Sequence, residues 1–308
     1  MNRFFLARGL LIAAMTLGAV FGVPPAHAQE ARTVTDALGR DVTIETPPQR
    51  VVGMSASIIE MLLALDITPP GVTLGIENPA VANLPTFGTG YQPDLEALAA
   101  LEPDLIIANA QLQAQLIDQL EVIAPTFFVM TMTAADVPAN IRLIGQVTWH
   151  ETNADYLARS YDDFLALVDN LAVGENGPSV LIVVGTLQQP NFGKSATYLG
   201  DMLRRLGGVK VADGEPDDGP FPGYAQLSIE SILEADPDLI FTVTRGGPGA
   251  IPIPEDMAAD ATWSALSAVQ AGTVYELDNR LFLEAPGPRF TEALLQLYAL
   301  FFGGTTGE

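Results

Sequence analysis

Apolar positions along this chain follow two rhythms, short unbroken runs and faces spaced for helices, and their alternation predicts an α/β protein. Residues 34–44 alternate around "DALGRDV", a turn between two short strands, and Pro47-Pro48 ends the pair. Residues 50–54 read as a strand leading into Ser55-Ala56-Ser57 and a helix whose apolar face is Ile58, Ile59, Met61, Leu62 and Leu65. A second strand is expected at 72–76, a loop at 77–92, a helix at 112–123 and a strand at 126–130. From 135 to 173 there is no strand signal. Leu157, Tyr161, Phe164, Leu165, Val168 and Leu171 recur at helical spacing, predicting one long helix or two abutting ones. A second series follows: a buried strand at 179–186, a loop "LQQPNFGKSA", a helix at 198–206 closed by Gly207-Gly208, and an acidic loop "DGEPDDGPFPGY". A strand at 239–243, a Gly/Pro-rich loop with Arg245, a helix at 263–269, a strand at 273–277 and a helix at 290–301 complete it.

Two stretches say nearly the same thing. "DLEALAALEPDLII" begins at Asp94 and "SIESILEADPDLIF" at Ser228, and they align without a gap. Each opens on a helix N-cap residue, places a glutamate two positions later (Glu96, Glu230), stops at Pro-Asp and continues as an apolar run. A helix, a tight turn and a buried strand form one αβ step, so two copies predict two α/β lobes of similar build. Two such lobes facing one another would share a cleft beyond the carboxyl ends of their strands.

Composition narrows the picture. Of 308 residues, 48% are hydrophobic, enough for one large core or two ordinary ones. Arg3 and Arg8, an apolar run at 10–23 and Ala26-His27-Ala28 have the form of a secretion leader, with removal expected after Ala28. The run falls short of the roughly 20 residues of a membrane span. The expected organisation is a leader at 1–28, an N-terminal lobe at 29–134, a linking helix at 135–173 and a C-terminal lobe at 174–308. The absence of cysteine removes disulfides, thiolate metal sites and the residue a lipid anchor needs, which favours a free periplasmic protein. The formal charge of −23 speaks against nucleic acid and anionic membranes; its plainest meaning is a soluble or salt-adapted surface. Beyond the leader the only histidine is His150, and no G-x-S-x-G or G-x-G-x-x-G occurs. That leaves little for a hydrolase or redox enzyme, although a paired-carboxylate mechanism stays open. No metal site and no cofactor are expected. With two lysines in the chain, a basic binding residue should be an arginine.

With these residues in hand, the chain resembles the periplasmic iron-siderophore/cobalamin-binding family, the substrate-binding proteins of ABC importers. The marks are "GRDVTIETPPQRVVGMSASIIEMLLALD", "DLEALAALEPDLIIA", "YLGDMLRRLGG", "SIESILEADPDLIF" and "PGPRFTEALLQL", in that order across nearly the whole chain after the leader. The resemblance implies two Rossmann-like lobes with mostly parallel sheets, joined by a long rigid α-helix, with the ligand cleft between the lobes. It implies a receptor and not an enzyme, which captures a ferric siderophore or related chelate and delivers it to a permease-ATPase complex at the inner membrane. It implies a monomer, and it implies that Glu96 and Glu230 dock onto permease arginines, one per lobe. Helix stabilisation by an acid in the first turn, worth about 0.3–1 kcal/mol, is the alternative to docking for both.

Loops after strands supply the ligand candidates: Tyr91 in "GTGYQPD", Arg245 in "TVTRGGPG", and Phe192, Tyr224 and Phe282 as stacking faces. Arg245 suits an anionic chelate oxygen. Gly90 stands where hydroxamate binders of this family carry an arginine, and Tyr91 is followed by Gln92-Pro93 where haem binders carry an arginine and a longer step. Haem and cobalamin stay open as alternatives within the fold. No tyrosine pair suited to bare ferric iron is present.

Overall fold

The computed structural model describes residues 31–76, 78–171, 177–218, 222–246 and 249–303; the expected leader lies outside them. The chain opens with an antiparallel hairpin of β1 (Arg32–Thr35) and β2 (Asp41–Ile44). Buried Asp36 builds its turn by accepting from the Leu38 and Arg40 N–H groups at 2.9 and 3.0 Å and from Arg40 Nη2 at 2.7 Å.

In the N-terminal lobe, β3 (Val51–Gly53), β4 (Leu105–Asn109) and β5 (Thr126–Val129) form a parallel sheet in that order. Every residue of central β4 is buried, as its unbroken apolar run predicted. Helices α1 (Ala56–Ala64), α2 (Leu95–Ala100), α3 (Ala110–Gln113) and α4 (Ile117–Ile123) connect the strands. The strand expected at 72–76 is only a single bridge, Val72 to Thr86, because Gly75 at φ +87° turns the chain. The helix expected at 112–123 is divided by a 3₁₀ turn, Ala114–Leu116, where fully buried Gln113 leaves helical backbone angles.

The linking segment is two helices, α5 (Asp136–Val147) and α6 (Glu151–Leu171). Trp149 adopts φ +59°, unusual for a bulky residue. The corner is secured by the Arg32 guanidinium 4.1 Å over the Trp149 ring and by His150 Nδ1 at 2.6 Å from the Thr148 carbonyl. The helices pack so closely that a Cβ on Gly145 would lie 2.3 Å from Ala154 Cβ. Between the lobes, α6 alone reaches about 31 Å at 1.5 Å per residue.

The C-terminal lobe holds β6 (Ser179–Thr186), β7 (Gln189–Gly193), β8 (Val209–Lys210), β9 (Tyr224–Ala225), β10 (Leu239–Thr244) and β11 (Val274–Glu276). Its order is β11-β10-β6-β7-β9, with β8 also beside β6. The β11, β10, β6 and β8 strands are parallel, while β7 and β9 form an antiparallel edge inside stretches read from the sequence as loops. Its helices are α7 (Tyr198–Arg205), α8 (Ile229–Ala235), α9 (Ile253–Ala259), α10 (Ser267–Ala271) and α11 (Phe290–Gly303). The helix expected at 263–269 is a 3₁₀ turn, Trp263–Ala265, followed by α10, and α9 lies in the Gly/Pro-rich stretch read as a loop.

The repeated Pro-Asp now has a physical role. Asp104 accepts from the Gln49 and Arg50 N–H groups at 2.7 and 2.8 Å, and Asp238 accepts from Ser179 N and Oγ at 2.8 Å. In each lobe the aspartate before the strand pins the start of the parallel strand beside it. The order β3-β4-β5 is thereby repeated as β6-β10-β11.

One buried carboxylate joins the lobes to the linker. Asp201 of α7 accepts from Ala134 N at 3.1 Å, Arg205 Nε at 3.0 Å and Arg204 Nη2 at 2.6 Å. Arg205 reaches on to both carboxylate oxygens of Asp169 on α6, at 2.8 and 2.9 Å.

Lys210 is also buried, its Nζ donating to Gly208 O at 2.8 Å, and desolvation lowers its pKa to about 7. Below about pH 7 the amine is charged in both folded and unfolded chains, and burial opposes folding in full. As pH rises from about 7 toward the ordinary lysine value, the unfolded chain holds more protons and stability increases. Lys210→Met is therefore expected to stabilise the fold near neutral pH by about 1–3 kcal/mol and to flatten that rise, read by urea unfolding across the range.

Candidate ligand cleft

The carboxyl ends of both parallel sheets open onto one gap. From the N-terminal lobe, Ser55 and Ser57 follow β3, Asn109 ends β4, and Thr131 and Met132 follow β5. From the C-terminal lobe, Gly185 and Thr186 end β6, Arg245 follows β10 and Phe282 lies beyond β11. The cleft encloses about 420 Å³, inside the roughly 300–1,000 Å³ typical of small-ligand sites. Its position is the one expected of open parallel sheets.

Tyr91 projects from a tight turn in which Thr89 N donates to Gln92 O at 3.1 Å and Gln92 N to Thr89 Oγ1 at 3.0 Å. The turn is held from beneath by Gln113, whose Nε2 donates to the Gly90 and Met54 carbonyls while its Oε1 accepts from Asn109 N at 2.7 Å. The tyrosine itself is left 51% exposed. Arg245 is fixed through its backbone, N–H to Gly185 O at 2.7 Å. Among the described residues its guanidinium has no hydrogen-bond or ion-pair partner.

Burial pushes the Tyr224 phenol up to about 12, Arg245 pulls against that shift and Tyr91 adds to it. The three groups, one from the N-terminal lobe and two from the other, thus lie within electrostatic reach of each other. Tyr224 is a neutral hydroxyl donor at physiological pH.

Four of the five ligand residues expected from sequence, Tyr91, Arg245, Tyr224 and Phe282, line this cleft. Phe282 is only 1% exposed and forms part of its floor. Phe192 does not line it. Its ring is buried among Leu181, Val183, Ala225 and Ile240, because side chains of β7 alternate and Gln189 and Asn191 take the cleft face. Thr131, Met132, Tyr198, Asp218 and Glu284 also line the cleft and carried no sequence signal as ligand residues.

Glu96 and Glu230 sit in the first turns of α2 and α8, exposed and free of ion pairs among the described residues. The helix N–H groups beside them are already taken. Asp94 accepts from Glu96 N and Ala97 N at 3.1 and 3.0 Å, and Ser228 from Ser231 N at 3.1 Å.

Comparison with known proteins places this architecture. Residues 51–281 match the family described as periplasmic binding protein. The chain belongs to that family. It is 25% identical over 283 residues to the Fe(3+)-citrate-binding protein YfmC of Bacillus subtilis, covering 88% of this chain and 86% of that one. It is 26% identical over 321 positions to a cobalamin-binding protein of Halobacterium salinarum, covering 94% and 80%. The crystal structure of the petrobactin-binding protein YclQ of Bacillus subtilis superposes with a TM-score of 0.73 at 20% identity, over 91% of this chain and 100% of that one, which shows the shared fold. Family members are extracytoplasmic binding proteins, and no described helix is long and apolar enough to cross a membrane.

Proposed function

We propose that this protein is the substrate-binding component of an ABC importer, capturing a ferric siderophore or similar iron chelate and presenting it to the membrane permease. The observation that carries this reading is the Arg245 guanidinium, unpartnered among the described residues, set beside two tyrosines from opposite lobes in a cleft of small-ligand size. A cation so placed meets a chelate oxygen, and phenols and amides donate to the rest. The neutral Tyr224 favours capture of a preformed chelate over ligation of bare iron. A carrier role is favoured over catalysis because His150 serves the α5–α6 corner and is absent from the cleft lining. Glu96 and Glu230 serve as docking points, their helices being capped without them. The leader-like residues and the family support a periplasmic setting.

The test is native mass spectrometry of the protein mixed with equal amounts of ferric hydroxamate, catecholate and carboxylate chelates, haem and cobalamin. One retained ferric chelate on a monomer is the expected result. Retention of cobalamin alone, the ligand named for the Halobacterium relative, would transfer the site to that alternative, and retention of nothing would remove the receptor reading. Arg245→Gln is expected to weaken the retained complex about ten- to hundredfold, the value of one charge-assisted hydrogen bond, in a fluorescence-quenching titration.

A further inference from the structure

The charge of the cleft separates the chelates it can hold. Among the described lining residues Arg245 is the one cation, and it is opposed by two carboxylates, Asp218 and Glu284. Positions 77, 172–176, 219–221 and 247–248 contain neither lysine nor arginine, so they bring no further cation. The other nearby arginines are engaged elsewhere: Arg289 pairs with Glu292 at 2.9 Å and Arg280 donates to the Gly75 carbonyl. The rest of the polar lining is uncharged, for example Gln111, Gln189 and Asn191. The whole chain adds a formal charge of −23, and a low-dielectric cleft concentrates that field.

Resting on the chelate-receptor reading, we infer that the cleft selects ferric chelates of zero or positive net charge, of the tris-hydroxamate class, with Arg245 of the C-terminal lobe standing in for the arginine that Gly90 replaces, and rejects polyanionic catecholates and carboxylates. Three hydroxamates each lose one proton and together cancel the charge of ferric iron. Three catecholates each lose two and leave a trianion, and citrate-type complexes keep free carboxylates. A polyanion entering this gap surrenders its hydration for a single arginine and meets two carboxylates. A neutral chelate needs only that arginine and the amides for its oxygens, with the Tyr91 and Tyr224 rings against its apolar skeleton.

The experiment is a fluorescence-quenching titration of the protein with ferrichrome (neutral), ferrioxamine B (cationic), ferric citrate, ferric enterobactin (a trianion) and cyanocobalamin, at low and high salt. A hydroxamate is expected to bind at least about 100-fold tighter than either anionic chelate, and only the cationic one should lose affinity with salt. Asp218→Asn combined with Glu284→Gln should shrink the hydroxamate-to-citrate ratio at least about tenfold. Ferric citrate or enterobactin binding as tightly as the hydroxamates would overturn charge selection while leaving the receptor reading standing. A ratio unmoved by the double variant would overturn its assigned origin. Binding of the corrin alone would overturn the hydroxamate class, and binding of no chelate would overturn the receptor reading itself.

Discussion

Reversing both glutamates proposed for docking, Glu96→Arg with Glu230→Arg, is expected to abolish uptake of the bound chelate in cells carrying the cognate permease while leaving ligand affinity within about twofold. Each acid is solvent-exposed and neither lines the cleft, so the binding surface is untouched. Paired with a permease arginine, each would contribute about 1.5–3 kcal/mol as a charge-assisted contact. Its reversal replaces that gain with like-charge repulsion at a rim, which suppresses association strongly. The helices survive the change, since Asp94 and Ser228 provide their caps and an arginine in the first turn costs only about 0.3–1 kcal/mol. Uptake of labelled iron, measured beside a binding isotherm, separates the effects. Undiminished uptake by the double variant would end the docking assignment.

The largest stability effect is expected at Asp201. Asp201→Ala should cost about 3 kcal/mol in urea unfolding. The carboxylate is 2% exposed and satisfies Ala134 N and the inner arginine, Arg205, at once. Its loss leaves the Ala134 N–H group without its acceptor and Arg205 with Asp169 alone. Arg204→Ala tests the same cluster from its exposed rim, where about 0–1 kcal/mol is expected. Equal losses in the two variants would mean that Asp201 is not the centre of the tie.

What the chain disclosed of itself follows physical lines. The αβ repeat was legible because its determinants are local: a cap, an apolar face, a Pro-Asp stop and a buried run. The parallel sheets, and a cleft at their carboxyl ends, followed from it. The corner at Trp149 was not legible, because a left-handed tryptophan leaves no mark in a helical pattern and is held by Arg32 from the far hairpin. Strand β7 was hidden by Pro190 and Gly193, residues that weaken a strand on its own and are tolerated here toward the sheet edge. That omission also misplaced Phe192, since the face of a side chain in a strand depends on register. The cleft position of Tyr91 and Arg245 was legible because both stand in loops beside predicted strands, Tyr91 also just before the Glu96 helix, where the family resemblance implies ligand contacts. Thr131, Met132 and Tyr198 were passed over because each belongs to the approach or first turn of a helix, where nothing in the local pattern tells a cleft from a core.

The tie through Asp201 and the length of α6 are expected to hold Glu96 and Glu230 on a nearly fixed frame. Under the docking assignment, such a frame offers the same pair of acids to the transporter whether the cleft is full or empty. An unloaded copy then competes with a loaded one for the same berth. At a fixed supply of chelate, uptake should climb as the protein becomes more abundant, pass through a maximum near equivalence, and fall as empty copies crowd the permease. A steady rise to a plateau would mean that occupancy changes the frame.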